Sequence, residues 1–242
     1  MKGKGNIVIK IGGSLLFTQD KKINSKKIAN FCEIIKNKPD FDNLVIVCGG
    51  GLIAREYINS IRSLKGNEAL CDIIGIEVSR INSKLFITSF RELAYPQVPK
   101  SIEELSTATL FQKIIIMGGL QPGQSTTSVA LEVAEYLEAN ELILLTNVDG
   151  IYDKDPKKHK DAKVFENISY VELQDIILKS SDDKQAAAGE YRIFDAVSLQ
   201  ILKRSHIEVL VMSGSDLSNF KKYWNGEAKF IGTIVSNKGK DN

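Results

Sequence analysis

The chain has 242 residues, 43% of them hydrophobic and 26% charged, with a formal net charge of +2. That is enough apolar material for one large α/β domain, and the near-neutral balance with no long basic block argues against nucleic acid as a partner. Cys32, Cys48 and Cys71 are odd in number, far apart and free of any C-x-x-C pair, which excludes a disulfide framework or structural zinc site and suits a reducing cytoplasm. The opening MKGKG leads straight into a short apolar run, so neither a signal peptide nor a membrane span is expected.

Ile7-Val8-Ile9 reads as a first strand, running into Lys10-Ile11-Gly12-Gly13-Ser14. A lysine at the end of a buried strand is costly to desolvate unless an anion meets it, so Lys10, Gly12, Gly13 and Ser14 form a candidate phosphate contact. A lysine snorkelling out of a strand end would look the same. Ile28, Phe31, Ile34 and Ile35 recur at helical spacing, with Pro39 as the stop.

Leu44 to Cys48 is a second buried strand, followed by Gly49-Gly50-Gly51 and a helical LIAREYINSIRS. The glycines with Ala54 satisfy G-x-G-x-x-A. The acid about twenty residues on, Asp72, falls inside a long helical stretch from Glu68 to Leu93 rather than at a second strand, so a dinucleotide fold is disfavoured. Glycines at a helix start still offer N–H groups to phosphate, and Arg55, one turn in, is placed to clamp one, unless it is an ordinary surface arginine.

Pro96 and Pro99 are expected to end the long helix, and Ser101-x-x-Glu104 is a capping box opening a short one. Ile114 to Met117 reads as a third buried strand. It breaks at Gly118-Gly119 and runs through Leu120, Gln121, Pro122, Gly123, Gln124, Ser125 and Thr126 into a helix reaching about Asn140. A strand, a glycine-polar loop and a helix N-terminus make an anion site, although a plain strand–helix connection uses the same turn residues. Leu142 to Leu145 is a fourth strand, breaking at Thr146-Asn147-Val148-Asp149-Gly150. A polar loop with Tyr152, Asp155 and Pro156 follows, then a second capping box at Ser169-x-x-Glu172 opening a helix to Leu178. SSDDKQAAAG at 180–189 reads as mobile. Phe194 to Leu202 reads as a helix, Val209 to Met212 as a strand, the segment with Phe220 and Trp224 as an amphipathic helix, and Phe230 to Val235 as a last strand, with a disordered tail at 237–242. The alternation predicts a single α/β domain, a three-layer sandwich around a largely parallel sheet.

Four strands thus end in glycine-polar loops, which should line one sheet edge where α/β proteins bind ligands. Four loops suit a long anionic array, such as a triphosphate donor facing a phosphorylated acceptor. There is no Walker sequence and no H-R-D or D-F-G set, and His159 and His206 are the only histidines. What remains is phosphoryl transfer by positioning and charge neutralisation, with a lysine, many donors and a divalent ion.

KIGGS, VCGGGLIAREY, CDIIGIEVSRIN, MGGLQPGQSTTSVA and LLTNVDGIYDKDP, in this order over roughly residues 6–235, resemble the amino-acid-kinase family and, within it, the UMP kinase branch of archaeal type. The combination of QPGQST with Asp72-x-x-Gly75 carries the branch. Isopentenyl phosphate kinases, with a histidine near their acceptor, are the alternative in the same family, and a non-catalytic nucleotide- or oxyanion-binding protein is a third. The resemblance implies the amino-acid-kinase fold, with residues 6–126 on the acceptor side and 127–236 on the ATP side. It implies transfer from ATP to UMP in pyrimidine nucleotide biosynthesis, magnesium held mainly by nucleotide phosphates, a cytoplasmic enzyme and a homohexamer built from dimers. By the same resemblance, Lys10 lies near the transferred phosphate, with Gly13 and Ser14 contacting ATP phosphates. Gly50, Asp72 and Leu120 to Thr126 hold UMP; Gly51, Arg55, Thr146, Asn147, Tyr152 and Asp155 hold ATP. Two departures stand out. Asn147 occupies a place where much of the superfamily has aspartate, and no second catalytic lysine is assigned from the region of Lys184 to Gly189.

Overall fold

The computed structural model describes residues 5–37, 41–154, 156, 159–179, 193–227 and 230–237. Pro39, Asp155, the 180–189 segment with Lys184, and the tail from 238 onward lie outside the described residues. The strands are β1 (Asn6–Ile11), β2 (Asn43–Cys48), β3 (Ile115–Met117), β4 (Glu141–Thr146), β5 (Asn167–Ile168), β6 (Val209–Ser213) and β7 (Thr233–Val235). Between them run α1 (Ser25–Lys36), α2 (Gly51–Ser63), α3 (Glu68–Phe90), α4 (Ile102–Thr109), α5 (Thr126–Tyr136), α6 (Tyr170–Lys179), α7 (Ala196–Ser205) and α8 (Leu217–Trp224).

One seven-stranded sheet takes the order β3-β2-β1-β4-β6-β7-β5. β1, β2, β3, β4 and β6 are mutually parallel, and β7 turns antiparallel to β6 with β5 parallel to it. The expected largely parallel sheet between helical layers is therefore present. Its side chains alternate strictly: Val8, Val45, Met117, Leu142 and Val211 pack with α5 and α7, whereas Ile9, Ile46, Ile116, Ile143 and Met212 pack with α1, α3 and α8. Both faces are covered, which is why these strands read as unbroken apolar runs. The chain winds one way from β1 to β3 and the other way from β4 to β6, so the direction reverses between β1 and β4.

Local chemistry sets most helix ends. Asn24, Asn67, Ser101, Ser125, Asp195 and Asp216 each cap a helix start with a side-chain oxygen. Ser169 and Glu172 form the full expected box, whereas Glu104 accepts from the Lys100 amide rather than from that of Ser101. Several boundaries differ from expectation. α3 stops at Phe90, before the prolines, because Arg91 takes a left-handed φ of +56°. α5 ends at Tyr136, and the final strand is shortened to Thr233–Val235. β5 is too short at two residues to show any period, and sequence reasoning missed it. Ser236 and Asn237 are not a free tail: the Ser236 amide donates to Ile168 O at 3.1 Å and Asn237 Oδ1 accepts from the Tyr170 amide at 3.1 Å.

Candidate active site

The loops after β1, β2 and β3 converge at the carboxyl edge of the sheet on one cleft of about 210 Å³. Lys10, Gly12, Gly13, Ser14, Gly50, Gly51, Arg55, Asp72, Gln124, Ser125 and Thr126 all line it. Eleven residues proposed from sequence, scattered over more than a hundred positions, are thus brought together.

The meeting is possible because the loops interlock backbone to backbone. A Cβ on Gly13 would sit 2.1 Å from the Gly51 nitrogen and 2.7 Å from the Gly49 carbonyl carbon. No side chain fits between them. Gly51 also opens α2 at φ +69°, which an L side chain rarely adopts. Next door, the Gly12 amide donates to Leu145 O at 2.8 Å, tying this loop to β4 at the switch point.

Lys10 shares the sheet face of Val8 and the Leu144 register position, the face covered by α5. It is half-buried and has no ion-pair partner among the described residues. Desolvation by the surrounding chain pulls its ammonium down to about 8. A half-buried cation with no anion beside it among the described residues, in a cleft shared with the start of α5, marks a place for an anionic ligand. Two further atoms point the same way: Ser14 Oγ and Gln124 Oε1 are buried without a hydrogen-bond partner among the described residues, and both residues line the cleft. Asp72 is the single carboxylate of the lining among the described residues; its Oδ2 accepts from the Gly123 amide at 2.8 Å across the mouth.

Sequence reasoning missed the support supplied by α3. Ser79, Asn82 and Ser83 are buried polar residues on a long helix whose other polar positions are mostly exposed or half-buried. Asn82 Nδ2 donates to the carbonyls of Gly49 at 2.9 Å and Gly50 at 3.1 Å. Ser83 Oγ donates to Met117 O, and Ser79 Oγ accepts from the Gly119 amide at 2.7 Å. One helix therefore sets the height of two loops. The only sequence signal was a serine-asparagine-serine row at helical spacing. Gly49 and Gly119, members of two of the expected glycine-polar loops, also line the cleft, as do Ala54, Ile58, Gly75, Ile76, Ser79 and Thr127, which were not proposed as site residues.

Other predicted residues fall outside the cleft lining. Leu120, Gln121, Pro122 and Gly123 form its outer rim, the last three exposed. Thr146 is buried at the end of β4, one strand along, and its carbonyl accepts from the Gly214 amide at 2.7 Å. Asn147 is exposed beyond it, and Tyr152 Oη donates to Asp149 Oδ2 at 3.4 Å. These residues occupy the same sheet edge on the β4 side. No group of three metal-ligating side chains occurs among the described residues. Burial pushes the Cys48 thiol up to about 12 and that of Cys32 to about 11, so neither is a thiolate nucleophile.

The sheet order, the interlocked glycine loops and the unpaired lysine at the switch point are those of a phosphate-handling α/β enzyme, and the chain belongs to the amino acid kinase family, whose model matches residues 6–213. It is 42% identical to a uridylate kinase of Methanobrevibacter smithii over 96% of this chain and 99% of that protein. A uridylate kinase of Methanothermobacter thermautotrophicus is 38% identical over 95% and 98%. The crystal structure of uridylate kinase from Archaeoglobus fulgidus superposes with a TM-score of 0.79 at 32% identity, covering 95% of this chain and 99% of that one.

Proposed function

We propose that this chain is a uridylate kinase, moving the terminal phosphoryl group of ATP to UMP. An oxygen of the UMP phosphate forms the new bond to the γ-phosphorus while the bond to the bridging oxygen breaks, leaving UDP and ADP. The observation that carries the reading is the unpaired Lys10 in a cleft walled by glycine amides and the start of α5, with Asp72 at its mouth. Full-length similarity to uridylate kinases supports the acceptor.

The residues fit transfer by positioning. With the Gly12 and Gly49 amides donated to Leu145 O and Ile11 O, the amides of Gly13, Ser14, Gly50 and Gly51 and the Lys10 ammonium would face developing negative charge, where fixed donors in a dry site are worth most. Phosphate arrival would return Lys10 to full protonation, because a neighbouring anion favours the charged form. Asp72, kept outside the glycine cradle, would accept from the ribose hydroxyls rather than repel the phosphate. Gln124, Ser125 and Thr126 would supply neutral donors to the acceptor. Gly51 and Arg55, with Thr146, Asn147 and Tyr152 on the β4 side, would take the donor nucleotide, a role the family resemblance also gives Asp155. With one carboxylate in the lining, and that one already accepting from Gly123, the cleft fits magnesium carried by phosphate oxygens and water, neutralising charge between the nucleotides.

ADP release with ATP and magnesium, measured over UMP, CMP, isopentenyl phosphate and acetylglutamate, tests the reading. Preference for UMP is expected; a preference for isopentenyl phosphate, or no turnover with any acceptor, would overturn it. The same reading carries self-association: α3 leaves Leu70, Ile73 and Ile81 exposed along one side, a face suited to a second copy on the way to a hexamer. Sedimentation velocity would measure that state.

A further inference from the structure

We propose that Arg80 is the positioning residue of the acceptor loop, acting through backbone carbonyls without touching substrate. Its Nε donates to Gly119 O at 3.1 Å and its Nη2 to Leu120 O at 3.2 Å, while Nη1 meets Glu77 Oε1 at 3.1 Å. The side chain is 15% exposed and does not line the cleft. Each of the three guanidinium nitrogens thus donates once, two of them to the loop and one to its own helix.

The reason lies in what a loop serving an anion must avoid. Carbonyl oxygens turned toward a phosphate repel it, whereas amides attract it. Gly119 lies hard against α3, where a Cβ would come within 2.8 Å of the Ile76 side chain, so its peptide cannot stand away from the helix. Ser79 takes its N–H and Arg80 its carbonyl, and Arg80 then takes the next carbonyl too. Two oxygens are drawn back against the helix, and Gln124 to Thr126 are left to face the cleft. Asp72 Oδ2 on the Gly123 amide closes the same loop one turn further along. Lysine cannot replace this clamp, since a single ammonium lacks the planar fork that reaches two carbonyls at once.

The inference rests on the reading that this loop receives UMP, so its test has one arm that depends on turnover and one that does not. Arg80→Ala is expected to raise KM for UMP about ten-fold, the scale of losing hydrogen bonds from a charged donor, while KM for ATP is unchanged. Arg80→Lys should fall between wild type and Arg80→Ala. Glu77→Gln, which removes the ion pair but leaves both carbonyl contacts, should keep the wild-type KM. In ligand-free protein, hydrogen exchange of the Gln121, Gly123 and Gln124 amides should quicken in Arg80→Ala while that of β1 and β2 is unchanged. KM values rising together for both nucleotides, exchange accelerating throughout the sheet, or Glu77→Gln matching Arg80→Ala would each overturn the proposal. If wild type fails to phosphorylate UMP, the functional reading falls, and the exchange arm still decides the role of Arg80.

Discussion

Replacing Lys10 with methionine keeps the aliphatic length and removes the ammonium. In the ligand-free protein the amine is held near 8 against an ordinary 10.5, because burial disfavours its charged form. The folded state therefore binds fewer protons than the unfolded chain between these values, and stability rises with pH across that window. Below about pH 8 the penalty is fully present, and above 10.5 it is gone. A gap of this size corresponds to roughly 3 kcal/mol at pH 7, falling to about 1 kcal/mol at pH 9.5. Lys10→Met should thus be more stable than wild type at pH 7 in urea denaturation, with the advantage shrinking as pH rises. The same substitution should lower kcat by roughly 10²–10³-fold, the scale of removing one preorganised charge at a transition state, with KM for UMP changing far less. Stability and activity would move in opposite directions at one residue. A variant less stable than wild type at pH 7, or a stability difference flat between pH 7 and 9.5, would refute the uncompensated cation. A wild-type kcat would remove Lys10 from the reaction.

Gly13→Ala places a methyl 2.1 Å from the Gly51 nitrogen, so the β1 and β2 loops must part. A loss above about 2 kcal/mol by urea denaturation is expected, together with a fall in kcat, and unaltered stability would mean the loops do not interlock. Asp72→Asn keeps an oxygen that can accept from the Gly123 amide, so the fold should hold while KM for UMP rises and KM for ATP does not. An unchanged KM for UMP would take Asp72 out of the acceptor site.

Much of this enzyme's plan was legible before any coordinates. Unbroken apolar runs such as Leu44–Cys48 and Leu142–Leu145 announce strands buried on both faces, and the glycine-polar breaks after them announce the sheet edge where ligands bind. Lys10 stood out because a lysine at the end of such a strand needs a reason to be there. Ser79, Asn82, Ser83 and Arg80 did not stand out, because polar residues on a long helix read as a solvated face until the loops they hold are known. β5 went unseen because two residues carry no period.

What the chain determined by itself was local and additive: which stretches pair into strands, where capping oxygens such as Ser125 and Asp195 start helices, and which loops offer amides to an anion. What only the tertiary structure decided was who meets whom. Gly13 against Gly51, Asn82 beneath Gly49 and Arg80 behind Gly119 are contacts between segments distant along the chain. Their geometry follows from the order β3-β2-β1-β4 and from α3 crossing beneath two loops at once. Periodicity constrains a residue's neighbours within a turn or a strand pair, whereas the desolvation of Lys10 depends on everything packed around it.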